Sequence, residues 1–477
     1  MPEKIHVLQL GQDWRLDCSI PDKLQWHRLP PEKIDVLIVE KPGDLAAFEG
    51  QVDPYRSFYL DQDLSEEEGG LVFRMQARSY SLDQRQDLLA DFSRYFFGPQ
   101  YGDRLQNAQI YLEPAWQQAC HIVGSYRIDL EANFGPHYQP LLSWKYNIPI
   151  EQGQVKSFWL EYQKEDHIFL RVRMAHFVGL DLHEEVFLES PDQPWDYQAP
   201  EAGYLVFSLE VKGQGHVSIS SLHQRLSRGP YGWLIPGGQR LVDSKGQEIF
   251  AYFHPGDGQG PLNVYFSGYR PAQGFEGLGM MASFGAPFLI FSDPRLEGGA
   301  FYLGSHDLES QIKKTIQTCL DQLGLAGQQL ILSGLSMGTF AALYYGAQLN
   351  PRAIICGKPL TQIGLIAQNY KRKRPNEFAT ALDILLEQGP DEEELDQAFW
   401  SVFQQADWTG KIVAIAYMED DDYDDQAYPQ ILERLEPHAV RLISKSRPGR
   451  HNDDTAAMVD WFRMQYRTIL RKEFKRP

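Results

Sequence analysis

The hydrophobic pattern changes period along this chain, and each period predicts a different kind of element. Residues 4–10 form a short apolar run that stops at Gly11. Residues 34–40 (IDVLIVE) form a second, fully apolar one. Both read as strands, separated by Pro, Gly and acidic turns. In residues 82–97 the positions Leu88, Leu89, Phe92, Tyr95 and Phe96 fall near one face of a helix. From about residue 122 to 254 the period shifts to two, with strands expected at 155–162, 168–174, 205–211 and 216–222. Short strands at this spacing suggest a β-sandwich. From about residue 247 strands alternate with helices. The strands fall at 262–266, 288–291, 329–333, 353–356, 412–417 and 440–443, and the helices at 307–323, 339–348, 425–435 and 455–471. Strands separated by helices imply a parallel, doubly wound sheet. The stretch 361–408 is long for one crossover and helical in pattern, so it is expected to cap the sheet. The expected fold class is therefore α/β, in three parts: a small N-terminal α/β region (1–121), a β-sandwich-like region (122–246), and a mostly parallel sheet of the α/β-hydrolase kind (247–477).

Composition narrows the function classes. The chain has 477 residues, 43% of them hydrophobic and 13% aromatic, which is ample for large folded cores. A net charge of −19 argues against nucleic acid or an anionic lipid surface as a general partner. The basic tail, 467–476, reads as a solvated helix end whose cations suit the helix dipole. Cys18, Cys120, Cys319 and Cys356 lie far apart with no C-x-x-C, so neither a disulfide framework nor a metal cluster is expected. Gly11 is not followed by G-x-x-G, so no dinucleotide fingerprint is present, and no cofactor is called for. The opening MPEKIHVLQLGQDW lacks a signal-peptide core, and there is no run of about 18 apolar residues. The chain reads as cytoplasmic, with peripheral attachment through a partner left open.

Chemistry concentrates in residues 328–348, QQLILSGLSMGTFAALYYGAQ. Gly334-Leu-Ser336-Met-Gly338 lies between an apolar run and a helical pattern, the context of a nucleophile elbow. Such a turn strains the serine backbone and needs small residues two positions away on either side. The alternative is a Gly-rich turn in an ordinary βα unit. Serine needs a base, and in the α/β-hydrolase order the acid and then the histidine follow it. His438 precedes the last strand and belongs at its entry edge. His451 follows that strand, in SRPGRHNDD, where a base must come from. The acid is expected in Glu419-Asp420-Asp421-Asp422, just past a strand: Asp421 first, Glu419 and Asp422 as alternatives. The same run could bind a divalent cation, although it lacks the D-x-D-x-D-G pattern. The oxyanion needs two N–H donors. Met337 offers one, and the loop VYFSGYR (264–270) offers Gly268 or Tyr269, with Ser267 and Arg270 as substrate-contact candidates. Tyr231, Trp233, Trp195 and Tyr197, if exposed, could stack on sugar faces; the other reading is core or hairpin packing.

These residues resemble a known family, the second of the accessory secretory proteins of the Gram-positive accessory Sec system. The likeness is carried by VLQLGQDW, VYFSGYRPAQGFEG, FSDPRLEGGAFYLGS, GLSMGTFAALYYGA and AYMEDDDYD. It spans most of the chain and is strongest from Asn263 onward. The resemblance implies a serine-dependent acetyltransferase. Its substrate would be N-acetylglucosamine on serine-rich repeat glycoprotein adhesins, with an unspecified acetyl donor. It also implies support of adhesin export with other accessory secretory proteins and the translocase. The nucleophile then falls on Ser336, the base on His451 and the acid within 419–422, with Asp421 first. A plain esterase, or an assembly factor without catalysis, are the competing readings.

Overall fold

The computed structural model describes residues 4–476, apart from 190, 192, 297–298, 375–379 and 390. The chain divides into two compact units, Met1–Gly237 and Gly238–Pro477. Together they make a mixed α/β chain with several sheets.

The first unit opens with a five-stranded parallel sheet whose spatial order is Leu24–His27, Ile5–Gln9, Val36–Val39, Ser57–Leu60, Arg78–Tyr80. Its central strand, VLIV, is buried along its whole length, as parallel strands covered on both faces require. The helix Glu66–Met75 begins with a complete capping box between Ser65 and Glu68. The helix Arg85–Tyr95 buries Leu89 and Phe92, and Phe92 packs on Phe58 with ring centroids 4.8 Å apart.

The rest of this unit is mainly one ten-stranded, antiparallel-paired sheet, with a separate two-stranded ribbon, Gly232–Trp233 with Ile235–Pro236, at its end. The expected sandwich is therefore a single folded sheet. Its longest strand, Gly203–Leu226, changes register around Val211, Gly213 and Gln214. Bulges bend a strand, so both halves of this one can face a common core. Leu205, Phe207, Leu209 and Val211 from one half and Val217, Ile219 and Leu222 from the other belong to one buried cluster. The boundary read at 121/122 falls inside this sheet, because Gly102–Leu105, Ile110–Leu112 and Cys120–Val123 all pair within it. The aromatics read as possible sugar platforms are mostly packed inward. Tyr231 is buried against Phe96, and Tyr197 is buried with its hydroxyl donating to Glu184; Trp195 leans on Phe158. Arg228 is buried too, and its guanidinium donates to the carbonyls of Tyr95, Phe97, Pro99 and Leu234. Burial pushes that group down to about 9.

The second unit holds an eight-stranded sheet. In chain order its strands are β1 (Gly238–Val242), β2 (Glu248–His254), β3 (Leu262–Phe266), β4 (Phe288–Ser292), β5 (Leu330–Leu335), β6 (Ala353–Gly357), β7 (Ile412–Met418) and β8 (Arg441–Arg447). Their spatial order is β1-β2-β4-β3-β5-β6-β7-β8. β2 runs antiparallel to β1 and to β4, and every other pairing is parallel. The first two strands lie ahead of, or at the start of, the region assigned to this sheet from sequence. β1 begins at Gly238, so the sheet starts before residue 247. Helix α1 (Met337–Leu349) is buried on nearly all sides, which its apolar composition demands. Between β6 and β7 the chain forms α2 (Ile363–Lys373), α3 (Thr380–Gln388) and α4 (Glu392–Gln405). These helices pack together, and Phe399 of α4 meets Phe340 of α1 at 4.8 Å, so the expected cap is present across its described residues. The last helix, α5 (Thr455–Phe474), returns along β6 and β7.

Candidate active site

Strand β5 delivers Ser336 into a backbone conformation with φ 51° and ψ −122°. This is costly for a non-glycine residue, and such strain clusters at functional sites. The neighbours explain the two glycines. A Cβ on Gly334 would lie 2.2 Å from the Gly338 carbonyl, and one on Gly338 would lie 2.0 Å from the Phe266 carbonyl oxygen. The turn is held by the Ser336 N–H donating to the Gly357 carbonyl at 2.8 Å.

The Ser336 Oγ lies 2.8 Å from His451 Nε2, and His451 Nδ1 lies 2.8 Å from Asp421 Oδ2. The structure thus brings together the serine, the histidine and the first-choice acid. His451 is 1% exposed and Asp421 6%. The other Asp421 oxygen accepts the N–H groups of Tyr423 (2.9 Å) and Asp424 (3.2 Å), which fixes the carboxylate's orientation. With a carboxylate at Nδ1 the imidazole carries its proton there, leaving Nε2 to accept from the serine. The Tyr423 ring stacks on the imidazole, centroids 4.0 Å apart and 14° from parallel.

The remaining acids of the run have other partners. Asp422 accepts the His451 backbone N–H at 3.1 Å and lies 3.4 Å from Arg374. Glu419 is exposed, and its backbone N–H donates to the Arg447 carbonyl at 2.8 Å. Asp424, which sequence reasoning passed over, is buried and accepts from the Thr361 and Gln362 backbones and both their side chains. It ties the acid loop to the entrance of the cap. Burial raises its carboxyl despite those donors.

The oxyanion donors are less complete. Met337 opens α1 beside the serine. Gly268 lies next to the elbow, since a Cβ there would come 3.1 Å from the Leu335 carbonyl oxygen. Its N–H, however, donates to the Glu276 carboxylate at 3.0 Å. Burial raises Glu276, with that N–H and Arg270 opposing the rise. Of the two loop amides proposed from sequence, Gly268's is therefore spent in this structure. Tyr269 is 43% exposed. Ser267 is buried, and Arg270 donates to the Phe275 carbonyl at 3.2 Å, closing its own loop.

The stretch FSDPRLEGGAFYLGS acquires a role that no spacing rule predicted. Asp293 and Arg295 form a buried ion pair at 2.7 Å, and Asp293 also accepts the Ala300 and Tyr302 N–H groups. A Cβ on Gly299 would meet the Met337 thioether at about 2.5 Å, and the Tyr302 hydroxyl donates to the Ser267 carbonyl at 2.8 Å. This loop therefore supports both stretches from which oxyanion donors were sought. Its signal in the sequence was only the unusual string itself.

Comparison with known proteins agrees over nearly the whole chain. The model of the family described as Accessory Sec system GspB-transporter matches residues 32–476. An accessory Sec system protein of Streptococcus gordonii is 40% identical, covering 100% of both chains. A counterpart from Staphylococcus aureus is 39% identical, covering 89% of this chain and 84% of its own. Among solved structures, a chain of the Glycosylation Associate Protein complex from Streptococcus agalactiae superposes with a TM-score of 0.93 at 34% identity, covering 99% of each. On the extent of these matches, the chain belongs to the Accessory Sec system GspB-transporter family.

Proposed function

We propose that this chain is a serine-dependent O-acetyltransferase built on an α/β-hydrolase-like unit. Its acceptor is N-acetylglucosamine on serine-rich repeat glycoproteins, whose export it also supports. The observation that carries the chemistry is the Ser336–His451–Asp421 relay, two contacts of 2.8 Å in a buried setting. In the first half-reaction His451 Nε2 takes the Ser336 proton as Oγ attacks the acetyl carbonyl. The donor's leaving group departs with that proton, and the acetyl group stays on the serine. In the second, His451 deprotonates a sugar hydroxyl, which attacks the acetyl-serine and returns Ser336 to its hydroxyl form. Asp421 stabilises the imidazolium formed each time, and the Met337 N–H with that of Tyr269 would hold the oxyanion. The sugar and the adhesin come from the family resemblance, as does a place beside the translocase. No helix among the described residues is long and apolar enough to cross a membrane.

Water as acceptor would make the same triad an esterase, because only the orientation of the accepting hydroxyl separates the two outcomes. A role in assembly with other accessory secretory proteins stands beside catalysis, because the superposing relative is a chain of a complex. Mass spectrometry of adhesin glycans from cells carrying the wild type or Ser336→Ala tests the reading. Glycans one acetyl group heavier with the wild type, and not with the variant, are expected. Identical glycans in both strains would sink the transferase reading.

A further inference from the structure

A second site lies on the same unit, away from the serine. Helix α5 starts beside the catalytic histidine, and its later turns carry Arg463, Arg467 and Arg471. These positions are four apart, so the guanidiniums form one stripe spanning about 12 Å along the axis. The stripe begins about 12 Å down the helix from Thr455. With Ser283 and Phe284, from the segment that leads into β4, it lines a cleft of 530 Å³. Phe284, Met464 and Leu470 supply apolar surface there. Phe284 stacks on Tyr466 (4.7 Å), whose hydroxyl lies 2.6 Å from Ser333 Oγ, so this wall is fixed to β5.

The stripe stands out for its pairing. Three other arginines near this end of the unit are matched: Arg352 and Arg441 share Glu473, and Arg476 pairs with Asp257. Among the described residues no carboxylate pairs with Arg463, Arg467 or Arg471, and Arg463 Nε is buried with no hydrogen-bond partner. Met464, between them, is 51% exposed. Asp460 also lines the cleft, one turn before Arg463, and a single carboxylate does not balance three adjacent guanidiniums, which repel one another. A buried donor without an acceptor is likewise unfavourable.

We propose that this cleft docks an acidic amphipathic helix of a partner protein. Carboxylates repeating every helical turn match the spacing of the arginines, and arginine pairs with carboxylate in bidentate geometry. Apolar side chains between those carboxylates would lie on Phe284 and Met464, the helix-in-groove mode. A flat anionic bilayer fits less well, since the site is concave and the chain's overall charge repels an extended anionic surface. The inference does not depend on Ser336 or on acetyl transfer.

The test is fluorescence anisotropy on the full chain. The probe is a labelled helical peptide with Glu at every fourth position and Leu between. Its controls are a scrambled peptide of equal composition and phosphatidylglycerol vesicles. Saturable binding is expected to weaken with salt and to drop roughly tenfold or more for Arg467→Glu/Arg471→Glu, with a similar loss for the scramble. Both arginines are exposed, so this variant is expected to keep the wild-type circular dichroism; Arg463→Gln is the second, milder variant. Ser336→Ala is expected to bind as wild type does. Equal binding of the scramble, unchanged affinity in both variants, or no saturable binding would overturn the proposal. Arginine-dependent vesicle binding without peptide binding would overturn it in favour of a lipid headgroup.

Discussion

At the scale of single residues, the site is a sorting problem among neighbouring acids. Glu419 through Asp422 are equivalent in a sequence, because all four follow the same strand. The turn after β7 gives them different partners: Asp421 faces the imidazole, Asp422 holds the His451 backbone, and Glu419 faces solvent. Ser336→Ala and His451→Ala are each expected to lower kcat by about 10⁴- to 10⁶-fold, with the double variant no worse than either, because the groups act as a unit. Asp421→Asn is expected to cost about 10³- to 10⁴-fold by favouring the wrong tautomer. Glu419→Gln is expected to leave the rate unchanged. Hydrolysis of a simple acetyl ester by the purified variants measures all four, and a large loss from Glu419→Gln would reassign the acid. Ser336 and His451 were legible because strand-elbow-helix order and chain order constrain them. The engagement of the Gly268 N–H was not, because its partner Glu276 comes from a later part of the loop with no motif around it.

At the scale of elements, the cap contains a titratable contact between two of its helices. The Asp396 carboxylate accepts the Gly364 and Leu365 N–H groups at the start of α2. Burial pushes Asp396 up to about 7; the two N–H groups oppose this, and the charges of Asp424 and Glu392 add to it. An unfolded aspartate titrates near 3.9. Between about pH 4 and pH 7 the native cap therefore holds a proton that the unfolded chain has released. Stability contributed by this group falls as pH rises through that window and levels off above it. Asp396→Asn removes the titration. The melting temperature of the variant, relative to wild type, is expected to rise from pH 5 to pH 8, and amide exchange across 363–373 should slow in parallel. A difference that stays constant with pH would mean the carboxyl is already ionised in the fold. The helical pattern of this segment was readable, but this pairing was not, since it joins two helices about thirty residues apart.

At the scale of the whole molecule, legibility followed how each sheet is covered. Parallel strands buried on both faces read as apolar runs, so β3 through β7 were visible with bounds close to those found, whereas the polar, partly exposed second half of β8 was not, and that strand runs four residues past the expected 440–443. β1 and β2 pair antiparallel at one edge, and β2 lies in the stretch where the period-two reading ended, so the start of the sheet was placed too late. In the first unit, alternation identified strands but could not say that one 24-residue strand bends through a common core. The corrected boundary has a consequence. All eight strands, the cap and the whole triad lie within residues 238–477, and β1 begins at the division itself. A unit with its own sheet and core can fold alone. A fragment of residues 238–477 is expected to melt cooperatively by circular dichroism and to cleave an acetyl ester in a Ser336-dependent way, within about tenfold of the full chain, since pre-positioned catalytic groups set that rate. A folded fragment without this activity would mean that the first unit shapes the site. A fragment that does not fold would mean that the first unit contributes essential stability to the second.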